Sequence, residues 1–101
     1  MNNPLVSVGM VTWNSDQYLD ACLESLCSQN YKNIELVVVD NSSLNDPREV
    51  IRRYFPNVTY IQNSSNNGFC GGHNQAIEAT RGDFYLPLNP DVALDPGYIS
   101  A

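Results

Sequence analysis

Two periods of apolar residues divide the chain. Residues 5–13 are rich in β-branched side chains and partly alternate with polar ones, which predicts a first strand ending near Asn14. Leu19, Cys22, Leu23 and Leu26 then fall at i, i+3, i+4 and i+7, the buried stripe of a helix that Ser15 or Asp16 can cap and that stops around Gln29 and Asn30. Residues 34–39 are a nearly continuous apolar run, as in a parallel strand covered on both faces, and the run ends at Asp40, Asn41, Ser42 and Ser43. Asp46, Pro47 and Glu49 predict the next helix start, as N-cap, first helical residue and capping-box acid; Val50, Ile51 and Tyr54 give its buried side and Pro56 ends it. Residues 58–61 read as a third strand, 63–72 as a polar, glycine-bearing loop, 73–81 as a helix with Ala76, Ile77 and Thr80 inward, and 83–88 as a fourth strand.

The order β-α-β-α-β-α-β asks for an α/β fold, a Rossmann-like parallel sheet with right-handed crossovers and helices on both faces, in one domain over residues 1–101. Polar groups gather at the carboxyl ends of the strands: Thr12, Trp13 and Asn14; Asp40, Asn41 and Ser42; the 66–72 loop; and Asn89, Pro90 and Asp91. Open α/β sheets bind ligands at that end, beside a topological switch.

Charge narrows the ligand. Eleven acidic against five basic residues give a net charge of -6, which argues against a nucleic-acid partner. The one basic doublet, Arg52 and Arg53, reads as a solvated helix face. A phosphate ester bound in such surroundings would need a cation, so the balance favours a metal-assisted site over an all-protein clamp. The three cysteines read as reduced thiols, with Cys22 and Cys27 in the core. No apolar run approaches a membrane span and Met1, Asn2, Asn3 and Pro4 lack a signal-peptide layout, which points to the cytoplasm, with membrane association left open for a longer parent.

Asp91, on a rigid Asn-Pro-Asp turn, is the candidate for a Mg²⁺ or Mn²⁺ and diphosphate site, since hard cations take carboxylates plus the ligand's own phosphates. Taken alone, the same tripeptide is ordinary turn chemistry. The Asp40 carboxylate suits a nucleobase edge or ribose hydroxyls, or equally an Asx cap; Thr12 and Asn14 lie beside it or cap the first helix; Trp13 stacks on a base or joins the core. Gly68, Gly71 and Gly72 would let backbone N–H groups approach a phosphate near a helix start. His73, the single histidine, reads as structural, or with Asn74 as orienting a phosphate or sugar. No glycine follows the first strand and no Gly-Lys-Ser/Thr occurs, so neither a dinucleotide fingerprint nor a P-loop is present.

Together, residues 6–14, 38–43, 67–74 and 88–92 resemble the family 2 inverting glycosyltransferases of the GT-A fold, in order and with family-like spacing. The resemblance implies a sheet order of 3-2-1-4 and a nucleotide-diphosphate-sugar donor. It implies that Asp40 binds the base, that Thr12, Asn14, Asn41 and Asn74 lie near the nucleotide, and that Asn67, Gly68 and Phe69 pack by the donor. Asp91 would coordinate the Mg²⁺ or Mn²⁺ that bridges the diphosphate, while Asn89 replaces the first acid of the usual Asp-x-Asp. That asparagine is similar to the rhamnosyltransferase-type branch and suggests dTDP-rhamnose.

Such enzymes place the general base and the surface for a glycan or lipid-linked acceptor downstream of this turn. The expectation is therefore a donor-binding part of a longer transferase, inert by itself because its base lies beyond Ala101; the competing reading is a non-catalytic nucleotide-binding or interaction module of the same half-fold. Pro87 is tolerated best on an edge strand, and that bared edge offers a second copy a pairing surface.

Overall fold

The computed structural model describes residues 4–100. The amino-terminal tripeptide used above to judge the leader layout, and Ala101, lie outside the described residues. The elements are β1 (Val6–Thr12), α1 (Asp16–Cys27), β2 (Ile34–Asp40), α2 (Arg48–Tyr54), β3 (Thr59–Gln62), α3 (Gly68–Glu78) and β4 (Phe84–Pro87). The strands form one parallel sheet in the order β3-β2-β1-β4.

Strand alternation assigns the two faces. Val8, Met10, Leu36 and Val38 point to one side, where they bury the α1 stripe of Leu19, Cys22, Leu23 and Leu26 together with Ile51 of α2. Val37 and Val39 point to the other, against Ala76 of α3, with Ile61 and Tyr85 beside them. Because β1 and β2 are covered on both sides, their sequences run apolar almost without interruption, and both end where a polar residue becomes affordable.

Several elements differ from the sequence expectation. Helix α3 begins at Gly68, inside the stretch that reads as a loop, and ends at Glu78. Glycine costs a helix about 1 kcal/mol against alanine, but a Cβ on Gly72 would lie 2.7 Å from Val11 Cγ1, so the bare residue is what lets α3 settle on β1. Helix α2 starts at Arg48 with Pro47 as its N-cap; Asp46 accepts the Arg48 N–H at 3.0 Å, and no side chain closes a capping box. Ile77 and Cys27 each sit one residue past a buried neighbour, Ala76 and Leu26, and that turn of the helix carries both to solvent. Trp13 is also exposed, which removes it from the core.

Pro87 is on an edge among the described residues. Phe84 and Leu88 donate their N–H groups to Leu5 and Gly9 of the neighbouring chain segment, so alternation directs residue 87 away from β1 and the proline forfeits no bond to it.

Candidate functional site

Thr12, Asp40 and Gln62 are register partners, the last residues of β1, β2 and β3, and so form one row across the carboxyl edge of the sheet. Asp40 is 1% exposed and its carboxylate is filled by protein donors. Oδ1 accepts the Thr12 hydroxyl at 2.7 Å and the Ser43 hydroxyl at 2.5 Å; Oδ2 accepts the Ser43 N–H and Gln62 Nε2, both at 2.9 Å. Burial pushes this carboxyl group up, yet the hydrogen bonds from Ser43, Thr12 and Gln62 outweigh it and hold Asp40 below its ordinary range. An anion is thereby fixed, charged, just beneath the surface.

The turns after β1 and β2 are stitched to each other. Asn14 and Ser42 both adopt the left-handed region, with φ of 50° and 66°. Asn14 donates its N–H to Ser43 Oγ at 2.9 Å and accepts the Leu44 N–H on its side-chain oxygen at 2.8 Å. Neither Thr12 nor Asn14 caps α1, whose N-cap Ser15 makes no side-chain cap bond.

Asn41 is buried, and its carboxamide ties β2 to the start of α3: Nδ2 donates to the Gly68 carbonyl at 3.0 Å, and Oδ1 accepts Asn63 Nδ2 at 2.8 Å and the Asn67 N–H at 3.4 Å. Asn63 and Gln75 exchange amide hydrogen bonds of 2.7 and 2.8 Å, extending the tie to the middle of α3. Asn67 and Gly68 themselves are exposed at the helix start, Gly68 at φ 80°, and Asn74 is exposed on the helix. His73 is buried under Phe69 with Nδ1 against the Tyr85 hydroxyl at 2.5 Å, and its Nε2 has no hydrogen-bond partner. Burial holds its pKa below the ordinary histidine value.

The turn after β4 presents Asn89 and Asp91 to solvent, while Leu88 anchors it in the core. The Asn89 carbonyl accepts the Val92 N–H at 3.1 Å and faces Cys22 Sγ at 3.8 Å. Burial, with the charge of Asp91 as a second cause, raises the Cys22 thiol to about 11, which places the Asp91 carboxylate within electrostatic reach of α1. The described residues contain no group of three His, Cys, Asp or Glu side chains able to hold a metal. One exposed carboxylate fits an ion that draws its remaining ligands from a diphosphate and water.

Residues 7–101 match the model of glycosyl transferase family 2. The chain belongs to that family. It is 35% identical over 104 residues to WcaA of Escherichia coli strain K12, a protein named for a glycosyl transferase of colanic acid biosynthesis, covering 98% of this chain and 37% of WcaA. The fold matches that of S. aureus TarS (residues 1–349) in complex with UDP-GlcNAc, with a TM-score of 0.87 and 27% identity over 94% of this chain and 29% of TarS. It also matches the mannosyltransferase PcManGT of Pyrobaculum calidifontis in complex with GDP-Man and Mn²⁺, with a TM-score of 0.81, 23% identity, and coverage of 90% and 28%. The chain thus spans about a third of the length of the curated relatives it matches.

Missing from the sequence reading was Gln62. Its position at a strand end gave no signal, since its link to Asp40 depends on the register of β3 against β2.

Proposed function

We propose that this chain is the donor-binding part of an inverting glycosyltransferase. The observation that carries this is the polar row Thr12, Asp40 and Gln62 on the same sheet end as the Asn89 and Asp91 turn, in a family 2 chain. Asp40 meets the nucleobase edge; Thr12 and Ser43 keep it ionised and oriented. Asn14 shapes the first wall, and Asn41 holds the start of α3, so that Asn67, Gly68 and Asn74 line the nucleotide. Asn89 and Asp91 face the diphosphate, with Asp91 as ligand to Mg²⁺ or Mn²⁺. That ion, when bound, offsets the charge that develops on the leaving diphosphate.

Asp40 is saturated and Asp91 is given to the metal, so neither serves as the base. In this reading the base and the surface for a glycan or lipid-linked acceptor correspond to the part of the relatives' length that this chain does not span, and these residues alone bind donor without transferring sugar. Asn89 in place of an acid favours dTDP-rhamnose as the donor. Among the described residues no helix is long and apolar enough to cross a membrane, and a cytoplasmic donor site fits a soluble nucleotide sugar. The open β4 edge, with Phe84 and Tyr98 exposed near it, is the surface for pairing two copies.

Calorimetric titration with dTDP and UDP, with and without Mn²⁺, tests the reading. Metal-dependent binding that Asp91→Ala abolishes and Asp40→Ala weakens even without metal supports it; no heat with any nucleotide removes it in favour of an interaction module of the same half-fold that binds no nucleotide.

A further inference from the structure

Four donors surround the Asp40 carboxylate, and they are not equivalent. Thr12 is buried in the row, and Ser43 grips both oxygens at once through its N–H and hydroxyl. Neither can leave without opening β1 or the turn after β2. Gln62 is different: it is exposed, and it reaches Oδ2 only through its carboxamide. It is held in place by Tyr60, two residues back on the same strand, whose hydroxyl donates to Gln62 Oε1 at 2.7 Å, and its Nε2 also donates to the Asn63 carbonyl at 3.0 Å and, at 3.4 Å, to that of Asp40. The Tyr60 ring in turn lies under the Arg48 guanidinium, 5.4 Å from its centroid.

We propose that Gln62 is an exchangeable cover over the base-binding carboxylate, displaced when a uracil or thymine base donates its ring N–H to Oδ2. This rests on the nucleotide-donor reading above. The exchange trades one N–H to carboxylate bond for another, so the buried anion is at no stage left short of a donor. It also sets the choice of base. A single acceptor position can be vacated, which suits a base with one ring N–H flanked by two carbonyls. Guanine presents two adjacent N–H donors, and one of them would find Oδ1 already filled by Thr12 and Ser43. The displaced carboxamide keeps an N–H₂ donor near the incoming carbonyl groups. The fold alone does not dictate this preference, since a structural neighbour at 23% identity is in complex with GDP-Man.

The test combines UDP and GDP titrations of the wild type, Gln62→Ala and Tyr60→Phe with the side-chain N–H₂ signals of Gln62 in a ¹⁵N-labelled sample. Removing the competitor tightens UDP binding about fivefold in Gln62→Ala, the worth of one net hydrogen bond. Tyr60→Phe, which removes one anchor of the carboxamide and leaves its bonds to the Asn63 and Asp40 carbonyls, tightens it less. GDP stays weaker than UDP in the wild type and in both variants, and the Gln62 N–H₂ signals shift as UDP is added. UDP binding by the wild type with equal or weaker binding by Gln62→Ala and unmoved Gln62 signals overturns the exchange and leaves the donor reading standing. Absence of binding to either nucleotide by the wild type overturns both. Urea midpoints of the variants matching the wild type confirm that an altered affinity is not a folding defect.

Discussion

Tyr85 lies across the bare face of Gly9. A Cβ on Gly9 would overlap the tyrosine ring and hydroxyl, and it is over this gap that the phenol passes from β4 to reach His73 on α3. Three elements are thereby locked by one missing methyl group. Gly9→Ala is expected to cost about 1–3 kcal/mol in urea unfolding, the usual penalty for overpacking. In a Gly9→Ala, Tyr85→Leu double variant much of the second change is already absorbed, so the two penalties add to less than their sum.

Thr12→Val removes one of the four donors to Asp40 while keeping shape, with an expected loss of about 1–3 kcal/mol at neutral pH. The native pKa of Asp40 lies below its unfolded value, so its contribution is present above the unfolded pKa and is lost as pH falls through the folded one. The substitution raises the folded value, and the acid-unfolding midpoint followed by circular dichroism moves to higher pH.

His73 acts with the same sign through a different cause. Burial depresses its folded pKa below the ordinary 6.5, so the unfolded chain takes up a proton that the folded chain refuses. Stability is therefore full above the unfolded value and declines as pH falls below it. In His73→Gln the slope of unfolding free energy between about pH 7 and pH 5 flattens, whatever the variant's absolute stability.

The β4 edge predicts self-association with a particular limit. Tyr85 can offer an outward N–H to a second copy but Pro87 cannot, so pairing is short. Sedimentation at high concentration is expected to show a weak dimer, and Phe84→Lys, which charges an exposed edge residue, abolishes it. Monomer alone at every concentration removes the pairing.

The parallel fold was legible because the local signals agreed: the α1 stripe and the unbroken apolar run of β2 admit few alternatives. The start of α3 was hidden because glycine is read by its local cost, whereas Gly72 is chosen for its approach to Val11 across the chain. Ile77 and Cys27 were misplaced, and Trp13 was left open between core and surface, for a related reason: composition says what could be buried, and helix phase or strand end decides what is. At the site, Asp40 and Asn41 stood out as polar residues closing an apolar run, but their work inside the protein was invisible. One is saturated by Thr12, Ser43 and Gln62 and the other by Gly68, Asn63 and Asn67, partners that only the sheet register and the α3 contact bring near.

The row of Thr12, Asp40 and Gln62 ties the hydrogen bonding of one buried carboxylate to assembly. If β3 slipped one position along β2, Ile61 or Asn63 would take the place of Gln62 and side chains from the opposite face would flank Asp40. Such a misthreaded sheet would keep its secondary structure and leave Asp40 Oδ2 without its Gln62 donor. The Asp40 carboxylate is in that sense a register mark: its full set of donors exists only when the third strand is threaded correctly against the second.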